Sequence, residues 1–442
     1  MVWQTIFAQL IKCAEYTGLH VGENKMKVMT PHYYKDFRCI AGACTDTCCA
    51  GWDVDVDKDS YKYYKTVKGA FGKRLKSVMV PSQDGECTFT LKEGGRCPFL
   101  NDDNLCDLYI ELGEDKLCET CAEFPRFIND YGNIREIGIA PSCKTAGELM
   151  FSYKDELTFD TVEDSSLTPE PNDIDAYTYM QLKQARIVAF GIISDRDINI
   201  FERLMLYLDY AKRIQKHLDA ERDDLIAGVA KRFCGLDYRE RLLDRLKSRG
   251  IATLAKSRDG DIKQSDKQDN SNIKSEAYEP HGTRLIKGLR HFFDDFKGME
   301  VINPDWNIHV ARVRQFLDGL ADDAELAAVM RDYHAGSDAF AHEYEQLAMY
   351  YVYRYMLDAV NDYDALLKAK NAVIGILAVD IMAAANRAAG CTPDFTLRVD
   401  IAHLYSRQFE HSYYNYEVYR EYFGTKRCYS YEFLMDALVS LN

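Results

Sequence analysis

The 442-residue chain predicts a mainly α protein, in which a small cysteine-rich metal-binding domain with little β precedes a larger helical domain. Two observations carry this reading. Ten of the fourteen cysteines fall between Cys39 and Cys143, and from Asp173 onward apolar residues recur at three- and four-residue steps. A composition of 47% hydrophobic and 28% charged residues is that of a folded globular protein, and the length allows two or three domains. With 55 basic and 70 acidic residues the net charge is −15, which argues against nucleic acid and against an anionic membrane surface as partners. The longest apolar run, Ala372 to Ala385, has 14 residues and contains Asp380, whereas a membrane span needs about 20. The N-terminus has no basic region before its apolar part, so no secretory signal is read there and a cytoplasmic protein is expected.

In chain order, residues 1–25 read as an N-terminal extension ahead of Met26. Residues 26–150 form the cysteine domain of short elements, with one helix expected from Ser60 to Val78. Its Lys62, Lys65, Lys68, Lys73, Arg74 and Lys76 read as a solvated basic face. The alternation Asn133–Ile139 after Asp130-Tyr131-Gly132 predicts a small hairpin at most. Residues 173–442 form the helical domain. Asp195 or Asp197 caps a helix through IFERLMLYLDYAKRIQKHL, and Gly250 ends another. Residues 256–284 have almost no large apolar side chains and read as a mobile insertion. Helices resume at Leu285, beyond Asp305 and from Ser337. A buried helix over Ala372–Ala389 is closed by Gly390, and Pro393 opens the last helices. Asp380 inside that buried helix needs a partner, with Arg387 a candidate. Asp53, Asp55 and Asp57 share one face if extended, as a solvated edge or a helix cap.

The cysteines carry the chemistry. One group reads Cys39-x4-Cys44-x3-Cys48-Cys49 and a second Cys97-x8-Cys106-x11-Cys118-x2-Cys121, with Cys143 further on. Thiolate is a soft ligand suited to zinc or iron–sulfur clusters. His32 is the only histidine between Met26 and Lys216, so an all-cysteine site is expected, holding a cluster or a zinc on four thiolates. Cys48 and Cys49, being adjacent, need not serve the same ion. Cys13, Cys234, Cys391 and Cys428 are isolated and read as ordinary free cysteines. The radical-enzyme spacing C-x3-C-x2-C is absent, since Gly51 occupies its third position, and no glycine-rich nucleotide loop follows a strand pattern.

The stretch Phe37–Asp57, F-x-C-x4-C-x3-CC-x-GW-x-V-x-VD, resembles the opening of the flagellin lysine N-methylase family. Cys97, Cys106, Cys118-x2-Cys121 and Phe124-Pro125-Arg126 resemble its next motif. Pro141-Ser142-Cys143 resembles its third, although Lys144-Thr145 stands where the family usually has Pro-Glu. Near the C-terminus, Ser406-Arg407-Gln408-Phe409-Glu410-His411-Ser412 is similar to the family's Ser-Arg-x-x-Glu-His-Ser segment.

The resemblance implies methyl transfer from S-adenosylmethionine to lysine side chains of flagellin, and a [4Fe-4S] cluster, with zinc as the alternative. Its ligands would come from Cys39, Cys44, Cys48, Cys49, Cys97, Cys106, Cys118, Cys121 and Cys143. Arg407, Glu410 and His411 fall at i, i+3 and i+4, on one helix face. Glu410 or His411 would then accept the lysine proton while Arg407 binds the donor's carboxylate. The other reading of this face is a hydrogen-bonded surface packed on the cysteine domain. Two further readings of the whole chain stand beside the enzyme: an iron–sulfur electron-transfer protein, and a zinc-stapled flagellin-binding protein without catalysis.

Overall fold

The computed structural model describes residues 25–81, 86–169, 173–258, 283–336 and 339–442, with backbone alone over 250–258. The expected N-terminal extension, Cys13, Ser337 and most of the expected insertion therefore lie outside the described residues. The chain is mainly helical, as its periodicity predicts. The β content is larger than one hairpin. β1 (Met26–Pro31), β5 (Arg126–Tyr131), β6 (Ile134–Ile139) and β7 (Phe159–Asp164) form a four-stranded sheet in the order β5-β6-β1-β7. β1 runs parallel to β6 and antiparallel to β7. The predicted turn does join β5 to β6, with Tyr131 opposite Ile134. The other two strands pair across about a hundred residues or more, and no local pattern reports such pairing. A second sheet, β2-β4-β3, joins Asp55–Val56, Cys87–Phe89 and Met79–Pro81.

Two hydrophobic cores result. The large one takes in the helices, the four-stranded sheet and the helix Lys144–Ser152. At its centre the helix Ala365–Ala388 is buried around most of its circumference, which explains its unbroken apolar sequence. It packs against the helices Ile200–Leu218, Asp305–Asp318, Ala341–Tyr355 and Phe395–Glu410. Each fully buried Ile, Leu or Val there stabilises the fold by about 1.5–3 kcal/mol. Arg186 binds the Glu136 carboxylate of β6 (2.7 Å for Nη1 to Oε2) and so ties the sheet to the helical body. Asp380 takes His334 rather than Arg387 as its partner, at 3.0 and 3.1 Å; Arg387 pairs with Asp332. No helix among the described residues is long and apolar enough to cross a membrane.

The small core contains Val54, Val56, Tyr64, Leu75, Phe89, Phe99, Leu100 and Leu108 together with Cys87, Cys97 and Cys118. Its expected single helix is two, Lys58–Thr66 and Gly69–Val78. Val67 and Lys68 are extended, and Gly69 at φ +81° takes a conformation that other residues resist. Asp57 caps the first helix by accepting from the Ser60 amide at 2.9 Å. Two helix boundaries elsewhere also differ from expectation. Asn199, not an aspartate, caps Ile200–Leu218, because its side chain reaches the Glu202 amide. The helix opened at Leu236 runs through Gly250 to Arg258, since a helical glycine is costly but not forbidden.

Candidate functional site

The segment 406–412 closes the helix Phe395–Glu410 and joins three parts of the molecule. Arg407 and Glu410 are in its last turn, while His411 is the residue after it, with φ −124°. The three therefore do not form one face: helical geometry ends at Glu410, and the side chains diverge.

Arg407, 2% exposed, reaches into the cysteine loop. Its guanidinium pairs with Asp46 at 2.8 Å and donates to the carbonyls of Ala50 at 2.5 Å and Thr47 at 3.5 Å. It also lies 4.6 Å from the centre of the Trp52 ring, a cation–π distance. One turn earlier His403 binds the other Asp46 oxygen at 2.5 Å through Nε2 and faces the Pro141 carbonyl at 3.2 Å through Nδ1. Burial works against the Asp46 carboxylate, but His403 and Arg407 outweigh it and hold Asp46 down to about 2. The loop from Cys44 to Ala50 is thus pinned to the helix by an aspartate that stays ionised.

His411 stacks on the other part of this surface. Its ring lies 4.7 Å from Trp52 with 23° between planes, and Phe124 flanks both rings. Its Nε2 meets the Ser142 hydroxyl at 2.7 Å. Burial, reinforced by the charges of Arg354, Arg407 and His403, pushes its pKa down to about 3. The imidazole is neutral at physiological pH. Trp52 follows Gly51, at φ +94°, where a Cβ would stand 2.3 Å from the Ile302 carbonyl oxygen; only glycine lets the loop approach so closely.

Glu410 turns toward the tyrosine-rich helix Ala341–Tyr355. Its carboxylate accepts from Tyr350 (2.8 Å), Tyr355 (2.7 Å), Arg354 (3.1 Å) and the Ser406 hydroxyl. Four donors occupy the lone-pair sites that a carboxylate offers, so Glu410 is committed to its own neighbours. The rest of the segment is structural. Gln408 bonds the backbone of Glu300 and Ile302, and Ser412 binds Glu300 while capping the next helix.

Sequence reasoning placed Arg407, Glu410 and His411 together and missed Asp46, His403, Trp52, Ser142 and the pair Tyr350 and Tyr355. Two signals were available. His403 stands one helical turn before Arg407, and Asp46 is the only acid between Cys44 and Cys48.

The two cysteine motifs meet beside this loop. Cys97 and Cys118 are buried, Cys44, Cys48, Cys49, Cys106, Cys121 and Cys143 half-buried, and Cys39 exposed; all are free thiols. The Cys97 amide donates to the Cys49 carbonyl at 2.8 Å, which joins the two cysteine motifs side by side. The thiols of Cys48 and Cys49 perturb one another, as do those of Cys118 and Cys121. Within each pair one thiol is raised and the other lowered: Cys49 is lowered by the contact with Cys48, with Arg407 and Arg96 adding to it. This donor set suits a thiophilic metal or cluster in kind, being all sulfur and largely shielded. Among the described residues no three histidine, cysteine or carboxylate side chains converge tightly enough to grip an ion as they stand.

Comparison with known proteins places this arrangement. The described family "FliB lysine N-methylase C-terminal domain" matches residues 186–436, more than half the chain and inclusive of the 406–412 segment. The flagellar biosynthetic protein FliU of Salmonella muenchen is 29% identical over 124 residues, which is 27% of this chain and 73% of FliU. Proteins named lysine-N-methylase from Salmonella choleraesuis and Salmonella typhimurium are each 28% identical over 124 residues, 27% of this chain. The match spans 31% of their own length. No solved structure matches the chain. On the extent of the family match, the chain belongs to the FliB lysine N-methylase family.

Proposed function

We propose that the protein transfers methyl groups from S-adenosylmethionine to lysine side chains of flagellin. The observation that carries this reading is the neutral His411 on Trp52, next to a cysteine loop held by Arg407. Family membership and the names of the relatives point the same way.

In this account a lysine ε-ammonium enters beside Trp52 and loses one proton to His411, becoming the neutral amine. The amine lone pair then forms the N–C bond as the sulfonium S–C bond breaks, and the thioether leaves with that electron pair. His411 is unprotonated at working pH and borders the ring surface; burial, Arg354 and Arg407 depress its basicity, so it serves as base once an anionic donor carboxylate offsets those cations. Trp52 and Phe124 offer aromatic faces to a cationic amine or a sulfonium. Arg407 positions the cysteine loop through Asp46, and its use as a carboxylate clamp for the donor would require it to give up part of that contact. Glu410 is a positioning residue, which fixes the helix end from which His411 projects. Candidate ligands Cys39, Cys44, Cys48, Cys49, Cys97, Cys106, Cys118, Cys121 and Cys143 would hold a cluster or zinc. Such a centre, when bound, would supply a rigid cross-link between the loops.

The test is incubation of the anaerobically purified chain with isotopically labelled S-adenosylmethionine and flagellin, followed by mass spectrometry of the flagellin. Labelled methyl-lysine is the expected result. Flagellin that binds and stays unmethylated would replace the enzyme with a binding protein.

A further inference from the structure

Two short helices of the cysteine domain carry a charge that the candidate site does not use. Residues 58–78 hold seven lysines and arginines against one acid, Asp59, which is +6 within a chain of −15 and leaves −21 on the rest. Helical geometry gathers this charge. Lys58, Lys62 and Lys65 stand at i, i+4 and i+7 on the helix Lys58–Thr66 and form one stripe. Tyr64, on the opposite side, is fully buried and its hydroxyl donates to the Lys116 carbonyl at 2.7 Å, so the stripe faces outward. Lys68 stands at the corner between the helices, and Lys73 and Lys76 follow one turn apart on Gly69–Val78. The corner is close-packed: a Cβ on Gly72 would stand 2.2 Å from the Val67 carbonyl oxygen, to which the Lys76 ammonium also donates at 2.8 Å. All six lysines are exposed.

Little of this charge is neutralised within the molecule. Lys62 pairs with Asp59 at 2.9 Å, and Arg74 turns inward to Asp107 at 2.6 Å. Among the described residues Lys58, Lys65, Lys68 and Lys73 take part in no ion pair. Like charges one turn apart destabilise a helix, so an opposing anionic surface relieves a repulsion present in the free protein. Two features select the kind of anion. The tyrosines of the stripe already hold the chain's own ammonium groups, Lys65 at 4.2 Å over Tyr61 and Lys116 at 5.4 Å over Tyr63. Base stacking, which holds single-stranded nucleic acid, is therefore poorly served there. The −21 of the remaining chain also repels an extended polyanion, whereas a short acidic segment can lie on the stripe alone.

We propose that this lysine stripe docks an acidic segment of the protein substrate, apart from the site at Trp52. The identity of the partner rests on the methylase reading; the chemistry of the surface rests on its charge and exposure. The two contacts have opposite sign. A lysine-bearing segment meets a chain that is otherwise strongly anionic, and an acidic segment of the same substrate meets the stripe. A substrate that carries both segments at the matching spacing engages two surfaces at once and is favoured over a loose lysine peptide.

The experiment measures binding of fluorescent poly-glutamate to the full chain over a range of salt, with kcat and KM for flagellin and for a short lysine peptide. One variant combines Lys58→Glu, Lys65→Glu and Lys68→Glu. A control combines Lys216→Glu, Lys231→Glu and Arg232→Glu, the same change of net charge at exposed positions of the helical domain. The stripe variant is expected to bind poly-glutamate roughly tenfold more weakly, and its KM for flagellin to rise by a similar factor. Its kcat and its KM for the peptide stay those of the parent, as does everything in the control. Salt weakens binding by the parent and leaves the stripe variant nearly unaffected. Equal binding of poly-glutamate by parent and stripe variant overturns the proposal, and so does a preference of the stripe for single-stranded RNA or phosphatidylserine vesicles. Flagellin that binds through the stripe without methyl transfer leaves the docking surface standing and removes the methylase reading. Methyl transfer with the same KM for flagellin in both variants does the reverse. Should the stripe variant be insoluble, carbodiimide cross-linking of poly-glutamate to the parent chain, mapped by mass spectrometry, decides. Cross-links on Lys58 to Lys76 support the proposal, and cross-links confined to other lysines contradict it.

Discussion

The two cores solve the same problem with different means. The large core encloses aromatic and aliphatic side chains from helices throughout the chain, and buried pairs such as Arg186–Glu136 and Arg398–Glu343 cross it. The small core has eleven buried hydrophobic residues, three of them cysteine. A core of that size contributes only a few kcal/mol after chain entropy is offset, which is why small units recruit cross-links or metals. The large core sets the position of the segment 406–412, and the small core's loops are brought to it. The difference teaches that the site is held from its helical side.

The largest expected effect breaks the small core alone. Cys49→Ala or Cys121→Ala loses metal and soluble yield together, measured on purified protein; full metal content in both would refute their assignment as ligands. Next comes the joint between the cores. Arg407→Ala leaves Asp46 without its guanidinium partner and strips two carbonyls of their donor. Breaking such a pair costs about 3–5 kcal/mol when buried. Chemical denaturation should show a loss near the low end of that range, because Asp46 is only partly buried and keeps His403.

Glu410→Gln and His411→Gln separate structure from chemistry within neighbouring residues. Glu410→Gln leaves Arg354 unpaired among Tyr350 and Tyr355, and a stability loss of about 2–3 kcal/mol follows from removing a charged hydrogen-bond partner. His411→Gln keeps a hydrogen bond to Ser142, so its stability changes little while methyl transfer falls. Equal stability losses in the two variants would contradict this division.

The last effects are read through pH. Burial and neighbouring cations hold the folded His411 pKa at about 3, below its unfolded value of 6.5. Between those values the unfolded chain binds the proton and the folded chain does not, so stability falls as pH drops through that window. His334 has the opposite sign: burial lowers its pKa, but Asp380 outweighs burial and raises it. Its contribution is present below pH 6.5 and is lost as pH rises through the folded pKa. Denaturation curves across pH should lose slope on the acid side in His411→Gln and on the alkaline side in His334→Gln.

Much of this architecture was legible in the sequence, and what was missed has physical reasons. Helical periodicity reads local contacts, so the helices Ile200–Leu218 and Ala365–Ala388 were found. Gly390, at φ +87°, does close the second, which begins at Ala365 rather than Ala372; the N-caps Asn199 and Asp364 each depend on one side-chain hydrogen bond and were not read. The strands β1 and β7 pair at long range and left no local trace. The 406–412 motif drew attention to a segment that meets the cysteine loop, but a helical face was assumed where the helix ends at Glu410, so Glu410 and His411 point to different neighbours. Trp52 stood in the quoted motif and its role as the shared surface for Arg407 and His411 became visible only in three dimensions.

The most direct test of the account is methyl transfer to flagellin by His411→Gln beside the parent chain, at matched metal content and across pH. The account predicts that the variant folds, binds flagellin and loses transfer by roughly 10²- to 10⁴-fold, as expected when a general base is removed. A variant that retains its full rate at neutral pH would contradict it, and the proton would then have to leave the lysine by another route.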